Sequence, residues 1–159
     1  MSGVVNRMKA QRGFTLVELL VVTIIIAVLA AIAIPSFLHH RGKAEDASAV
    51  SLVREAVVGM ESAYVDSHTY AIGASVLAAI EPTIHWNEAD GHVVDVATPS
   101  IAATASAATN SVDYFGAAVS YSIATTSGSG NQFGVYADKG AHGNVVYVKV
   151  VGSVATTGW

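Results

Sequence analysis

A single carboxylate, Glu18, stands near the start of an otherwise apolar run, Leu16–Ile34. A short leader precedes that run, carrying Arg7, Lys9 and Arg12 and ending at Gly13. A charge inside a bilayer span costs roughly 2.5–3.5 kcal/mol even on the lenient insertion scale. Such a group persists where something compensates it, so Glu18 is the first place to look for chemistry. Two compensations are open. Close to a helix N-terminus the carboxylate is favoured by the macrodipole. It could also meet a cation from outside the run, which itself holds no Lys or Arg. A buried pair of that kind adds little net stability, but removing one partner costs roughly 3–5 kcal/mol, so it acts as a register device.

The other residues with chemical potential form no recognisable site. His39 and His40 are adjacent and leave a helix about 100° apart rather than on one face. His68, His85, His92 and His142 have no ligand spacing among them, so no metal is expected. Asn87-Glu88-Ala89-Asp90-Gly91 with Asp95 is rich in oxygen ligands, but it does not match an EF-hand loop and reads as a solvated turn. The chain has no cysteine, hence no disulfide, thiolate metal site or thiol nucleophile. It has no Gly-x-Ser-x-Gly and no phosphate-binding glycine loop either. No catalytic residue, cofactor or enzymatic activity is expected. The net charge is −4, and without the three leader cations five Lys and Arg face twelve Asp and Glu. So acidic a body argues against nucleic-acid binding.

The elements that must position Glu18 follow from hydropathy. The 19 residues Leu16–Ile34 span about 28 Å as a helix, close to the hydrocarbon thickness. Ala30-Ala31-Ile32-Ala33 resembles a secretory cleavage site, but the run is long for a signal peptide and is followed by more helix. The basic leader belongs on the cytoplasmic side. Beyond the run, Phe37, Leu38, Ala44, Ala47, Val50, Leu52, Val53, Ala56, Val57, Met60, Ala63 and Tyr64 recur at three- and four-residue steps, one buried face of an amphipathic helix. One helix from about Thr15 to Ser67 is predicted, apolar all round in its first half. Pro35 should kink it, and Gly42 is a second weak point.

Residues 75–80 suit one or two helical turns, and His92–Ala97 suits a short strand after the Asp90-Gly91 turn signal. Thr98–Ser111, rich in Ala, Ser and Thr, reads as exposed loop, with O-linked sugar as a second possibility. Alternation at Phe115, Ala117, Val119, Tyr121 and Ile123 predicts a strand, followed by strands over 132–137 and 144–151. The fold class expected is α+β: a long N-terminal helix packed on a small antiparallel β-meander of three to four strands.

Arg12-Gly13-Phe14-Thr15-Leu16-Val17-Glu18-Leu19, with the basic leader, the 19-residue span and Pro35 closing it, resembles the processing site of type IV prepilins and related pseudopilins. The resemblance runs to Pro35 and more loosely to about Tyr70; beyond that it is architectural. It implies cleavage between Gly13 and Phe14 by a membrane prepilin peptidase and N-methylation of Phe14. It also implies pairing of the new Phe14 amine with Glu18 of a neighbouring copy. The corresponding division is a leader (1–13), a membrane and filament-core half-helix (14–35), an amphipathic half-helix (36–68) and a head (69–159). By the same resemblance the partners are copies of the chain, the peptidase, and an assembly platform with its ATPase. The chain would be a precursor in the cytoplasmic membrane and then a surface pilus subunit. A secretion or DNA-uptake pseudopilin, and a bitopic membrane protein with a ligand-binding head, remain as alternatives. One departure is that no glycine lies between Phe14 and Pro35; Ala27 stands in the neighbourhood where many pilins have one. Alanine is the best helix former, which argues against extensive melting there.

Overall fold

The computed structural model describes residues 13–140 and 143–159. The basic leader and His142 lie outside the described residues. The chain divides into two compact units, Met1–His39 and His40–Trp159. In the first, the described structure is the N-terminal part of α1 (Leu16–Ser67), with Pro35 inside the helix. In the second, the rest of α1 joins α2 (Ala74–Ile80) and a sheet. The strands are β1 (His85–Glu88), β2 (Val94–Asp95), β3 (Ser100–Ile101), β4 (Ser111–Gly116), β5 (Ser120–Thr126), β6 (Gln132–Asp138), β7 (Asn144–Val151) and β8 (Val154–Thr157).

The amphipathic part of α1 buries Ala49, Leu52, Val53, Ala56, Gly59, Met60 and Ala63, a stripe of three- and four-residue steps. Ala44 and Ala47, expected on that face, are exposed. Gly59 belongs to the stripe because the Trp86 ring lies against it, 3.2 Å from where a Cβ would stand. The helix stops at His68, whose left-handed backbone (φ 56°) lets its N–H bond the Tyr64 carbonyl.

The fold is α+β, and the sheet is larger than the three to four strands expected. Six strands run in the order β1-β4-β5-β6-β7-β8, all neighbours antiparallel except β1 and β4. The alternation from Phe115 to Ile123 is two strands rather than one. It runs through a corner at 117–119, closed by the Ala117 N–H on the Ser120 carbonyl. Gly116 makes that corner possible, since a Cβ there would stand 1.7 Å from the Tyr70 carbonyl oxygen. The additional strands beside the meander are His85–Glu88 at one edge and Val154–Thr157 at the other, not His92–Ala97. Within the latter, Val94–Asp95 pairs with Ser100–Ile101 in a separate two-stranded ribbon. The segment 98–111 is likewise more than exposed loop. It contains β3 and a 3-10 turn, and it buries Ala105 and Ala107. Asp113 gathers it, accepting from Asn87 Nδ2 (3.3 Å), the Thr104 N–H and hydroxyl, and the Ala105 N–H (2.8 Å).

The sheet thus carries apolar residues on both faces. One packs on α1 through Tyr114, Tyr121, Ile123, Phe133, Val135 and Ala137. The other buries Ala124 and Val148 beneath Val93 and Val94 of the β2–β3 flap. Gly134 admits that flap, because a Cβ there would meet Val94 Cγ2 at 2.6 Å.

Candidate functional site

Gly13 and Phe14 precede α1, Thr15 stands at its start and Glu18 lies in its first turn. Gly13 is exposed and has open space where a side chain would be, and Phe14 is 82% exposed. Thr15 is the N-cap. Its Oγ1 accepts the Glu18 N–H at 3.1 Å, while Glu18 Oε2 accepts the Thr15 N–H and hydroxyl, each at 3.3 Å. This reciprocal arrangement is a capping box, satisfying two of the donors a helix start leaves open. Glu18 therefore has partners within its own turn. Thr15-x-x-Glu18 before an apolar run is the local signature of that box, a signal that the charge of Glu18 alone does not carry. The pairing is between dipoles and a charge; it supplies no counter-cation.

From Leu16 to Ile34, thirteen large apolar side chains are all exposed, and none of the most apolar 18-residue window is buried. Thr23, the other polar residue of the run, returns its hydroxyl to the Leu20 carbonyl at 2.8 Å. At about 1.5–3 kcal/mol per fully buried large apolar side chain, covering this surface is worth roughly 20–40 kcal/mol. Such a helix needs lipid or other apolar helices around it. The length and composition are sufficient to cross a membrane.

The remaining residues of interest serve the head. His39 and His40 lie in α1, His68 ends it, His85 is in β1 and His92 precedes β2. No group of three or more metal-ligating side chains occurs among the described residues. In the oxygen-rich stretch, Asn87 is bound to Asp113, and Asp95 closes its own turn by accepting from Ala97 N–H, Thr98 N–H and Thr98 Oγ1. The Thr98 and Ala97 donors hold the Asp95 carboxyl below its ordinary pKa. Glu61 on α1 receives the Tyr70 hydroxyl (3.0 Å), the Tyr121 hydroxyl (3.0 Å) and the Lys139 ammonium (2.6 Å). Burial, then the adjacent Glu61 charge, pushes the Tyr121 phenol well above its usual range.

Residues 8–34 match the family described as prokaryotic N-terminal methylation motif. The N-terminal segment carries that motif and is similar to those of type IV pilins and pseudopilins. Relatives of this chain include both pilus and secretion proteins. It is 37% identical over 73 residues to the type IV wide pilus major component PilA4 of Thermus thermophilus, an alignment covering 46% of this chain and 56% of that protein. It is 46% identical over 59 residues to a fimbrial protein of Pseudomonas aeruginosa, covering 37% and 38%. With the type II secretion system core protein G of Escherichia coli it shares 38% identity over 60 residues, 38% and 41% of the two chains. The chain thus spans about half or less of the curated relatives it matches. No solved structure matches it.

Proposed function

We propose that the chain is a structural subunit of a type IV pilus. The observation that carries this reading is an apolar half-helix, 16–34, bare on every side, whose one carboxylate, Glu18, is built into the first turn. The subunit is cut by prepilin peptidase between Gly13 and Phe14, and Phe14 is N-methylated. Before assembly the half-helix 14–35 rests in the cytoplasmic membrane. In the filament it packs against copies of itself, with Pro35 kinking the passage into the amphipathic half 36–68 and with the head 69–159 outside. The Phe14 amine of one subunit pairs with Glu18 of its neighbour. An assembly platform and its ATPase drive the transfer from lipid to filament, and the protein ends as a surface pilus.

The match to a type II secretion core protein G favours a second reading, a short envelope-bound pseudopilus built the same way. Mass spectrometry of material sheared from cells separates these. A methylated chain beginning at Phe14 and abundant in the sheared fraction is expected for a pilus subunit. A processed chain confined to the envelope supports the pseudopilus. An uncut Met1 in a detergent-extracted monomer would overturn both in favour of a bitopic ligand-binding protein.

A further inference from the structure

On the outer sheet face one histidine, His92, lies over a cross-strand row with part of its ring open to solvent. The register places Phe115 opposite Ser122 and Ser122 opposite Tyr136, so a small residue stands between two rings in one cross-strand row. The His92 imidazole lies edge-on to both, 4.6 Å from the Phe115 centroid and 5.1 Å from that of Tyr136. Its Nδ1 is 3.3 Å from Ser122 Oγ, and the same oxygen accepts the Val93 N–H at 2.9 Å. The Val93 carbonyl in turn accepts the Ala102 N–H at 2.9 Å, so both arms of the β2–β3 flap hang from this point.

We propose that His92 is a proton-sensitive catch on this flap. With the imidazole neutral the flap is closed over Ala124 and Val148; protonation in mild acid loosens it and uncovers that apolar face. The bonding explains the sense. Ser122 is fully buried, and its oxygen accepts the Val93 N–H. In the neutral tautomer protonated at Nε2, Nδ1 is the acceptor for the Ser122 hydroxyl proton. A protonated ring has no acceptor to offer, and the buried hydroxyl proton loses its partner.

The ionisable groups facing the ring are Tyr136 and Asp138 on β6, with Asp95 of the flap lining the same cleft. On β4, Asp113 is turned to Asn87, Thr104 and Ala105. Burial pushes His92 below the ordinary histidine value, and Asp138 partly opposes that. The closed state therefore binds fewer protons than the open one. Its advantage is complete above the open-state value near 6.5 and declines as pH falls below it.

Hydrogen exchange followed by mass spectrometry on the full chain in detergent micelles tests this, with each rate corrected for the intrinsic pH dependence of exchange. Between pH 7.5 and 5.5 the opening of the peptide spanning 92–103 should increase severalfold while that of β5–β6 stays constant. In His92→Gln, whose amide does not titrate, the flap response should vanish. Asp138→Asn keeps the imidazole and removes the opposing carboxylate, so the wild-type response should persist at lower pH. A flap indifferent to pH in the wild type, an unchanged response in His92→Gln, or a shift to higher pH in Asp138→Asn would overturn the proposal.

Discussion

Replacing Glu18 separates its two possible duties, because they have different sizes. Losing the capping box costs about 1 kcal/mol, within a usual range of roughly 0.5–2 kcal/mol. Losing the charge that meets a neighbour's amine inside a packed bundle costs roughly 3–5 kcal/mol, because a buried cation is left alone. The same loss makes the lipid-stored subunit more stable by roughly 2.5–3.5 kcal/mol, which also draws subunits out of the filament. Thr15→Ala removes the hydroxyl half of the cap in lipid and in filament alike, so it should leave the filament-to-membrane ratio nearly unchanged. Glu18→Ala should change it at least a hundredfold. Glu18→Gln is decisive, since its amide oxygen can still accept the Thr15 N–H while the charge is gone. If pairing governs assembly, Gln behaves like Ala; if capping governs it, Gln behaves like wild type. The assay is quantitative immunoblotting of sheared and membrane fractions, with mature mass confirming that processing is intact. Normal filament yield in Glu18→Gln would refute the pairing argument.

Other positions give independent checks. Gly13→Ala should leave uncut precursor in the membrane, visible as a chain heavier by the leader, if the peptidase requires that small residue. Gly116→Ala should destabilise the head by about 3 kcal/mol or more in urea unfolding of the micelle-bound chain. Its Cβ would fall 1.7 Å from a backbone oxygen that cannot move aside alone. Glu61→Ala should cost roughly 1–3 kcal/mol in the same measurement, since the buried Tyr121 loses its acceptor. Because the Tyr121 phenol titrates above its unfolded value, the folded state holds its proton longer. Stability should therefore fall as pH rises beyond about 10, and Tyr121→Phe should flatten that limb.

The N-terminal half was legible because its signals are local. Nineteen apolar residues, a basic leader and a closing proline need no tertiary context, and α1 spans Leu16–Ser67 against an expected Thr15–Ser67. Strands 132–138 and 144–151 were legible for the same reason, their alternation being bounded by turn residues. What failed were features set by distant partners. Periodicity at Phe115–Ile123 continues through a corner fixed by the Tyr70 backbone 46 residues upstream of Gly116. The burial of Ala105 and Ala107 depends on Asp113, whose carboxylate does not announce itself in an alanine- and threonine-rich stretch. The strand at His85–Glu88 exists by parallel pairing with β4, and four residues carry too little alternation to show it. Thr15–Glu18 is different: its signal was local and was passed over in favour of the charge alone.

A cysteine-free head must be held on α1 without a covalent staple, and the helix shows how. Asp46, Arg54 and Glu61 are eight and seven residues apart, close to whole turns, so they recur along one side of α1 beside the buried stripe. Each meets a different part of the head. Asp46 accepts from Ser129 Oγ and from Asn131 Nδ2 at 2.8 Å, fixing the β5–β6 turn. Arg54 lies 5.2 Å over the ring of Trp159, the last residue, whose indole bonds the Val148 carbonyl at 3.2 Å and meets Tyr147 edge-on. Glu61 holds Tyr70, Tyr121 and Lys139. Exposed ion pairs contribute little individually. Here the ties are mainly charge-to-neutral bonds at the rim of an apolar core, where each fixes the register of one segment on the helix. The first part of α1 is bare all round, whereas the second buries the stripe from Ala49 to Ala63 against its own head. The first therefore offers the continuous apolar surface that packing between copies in a filament core needs.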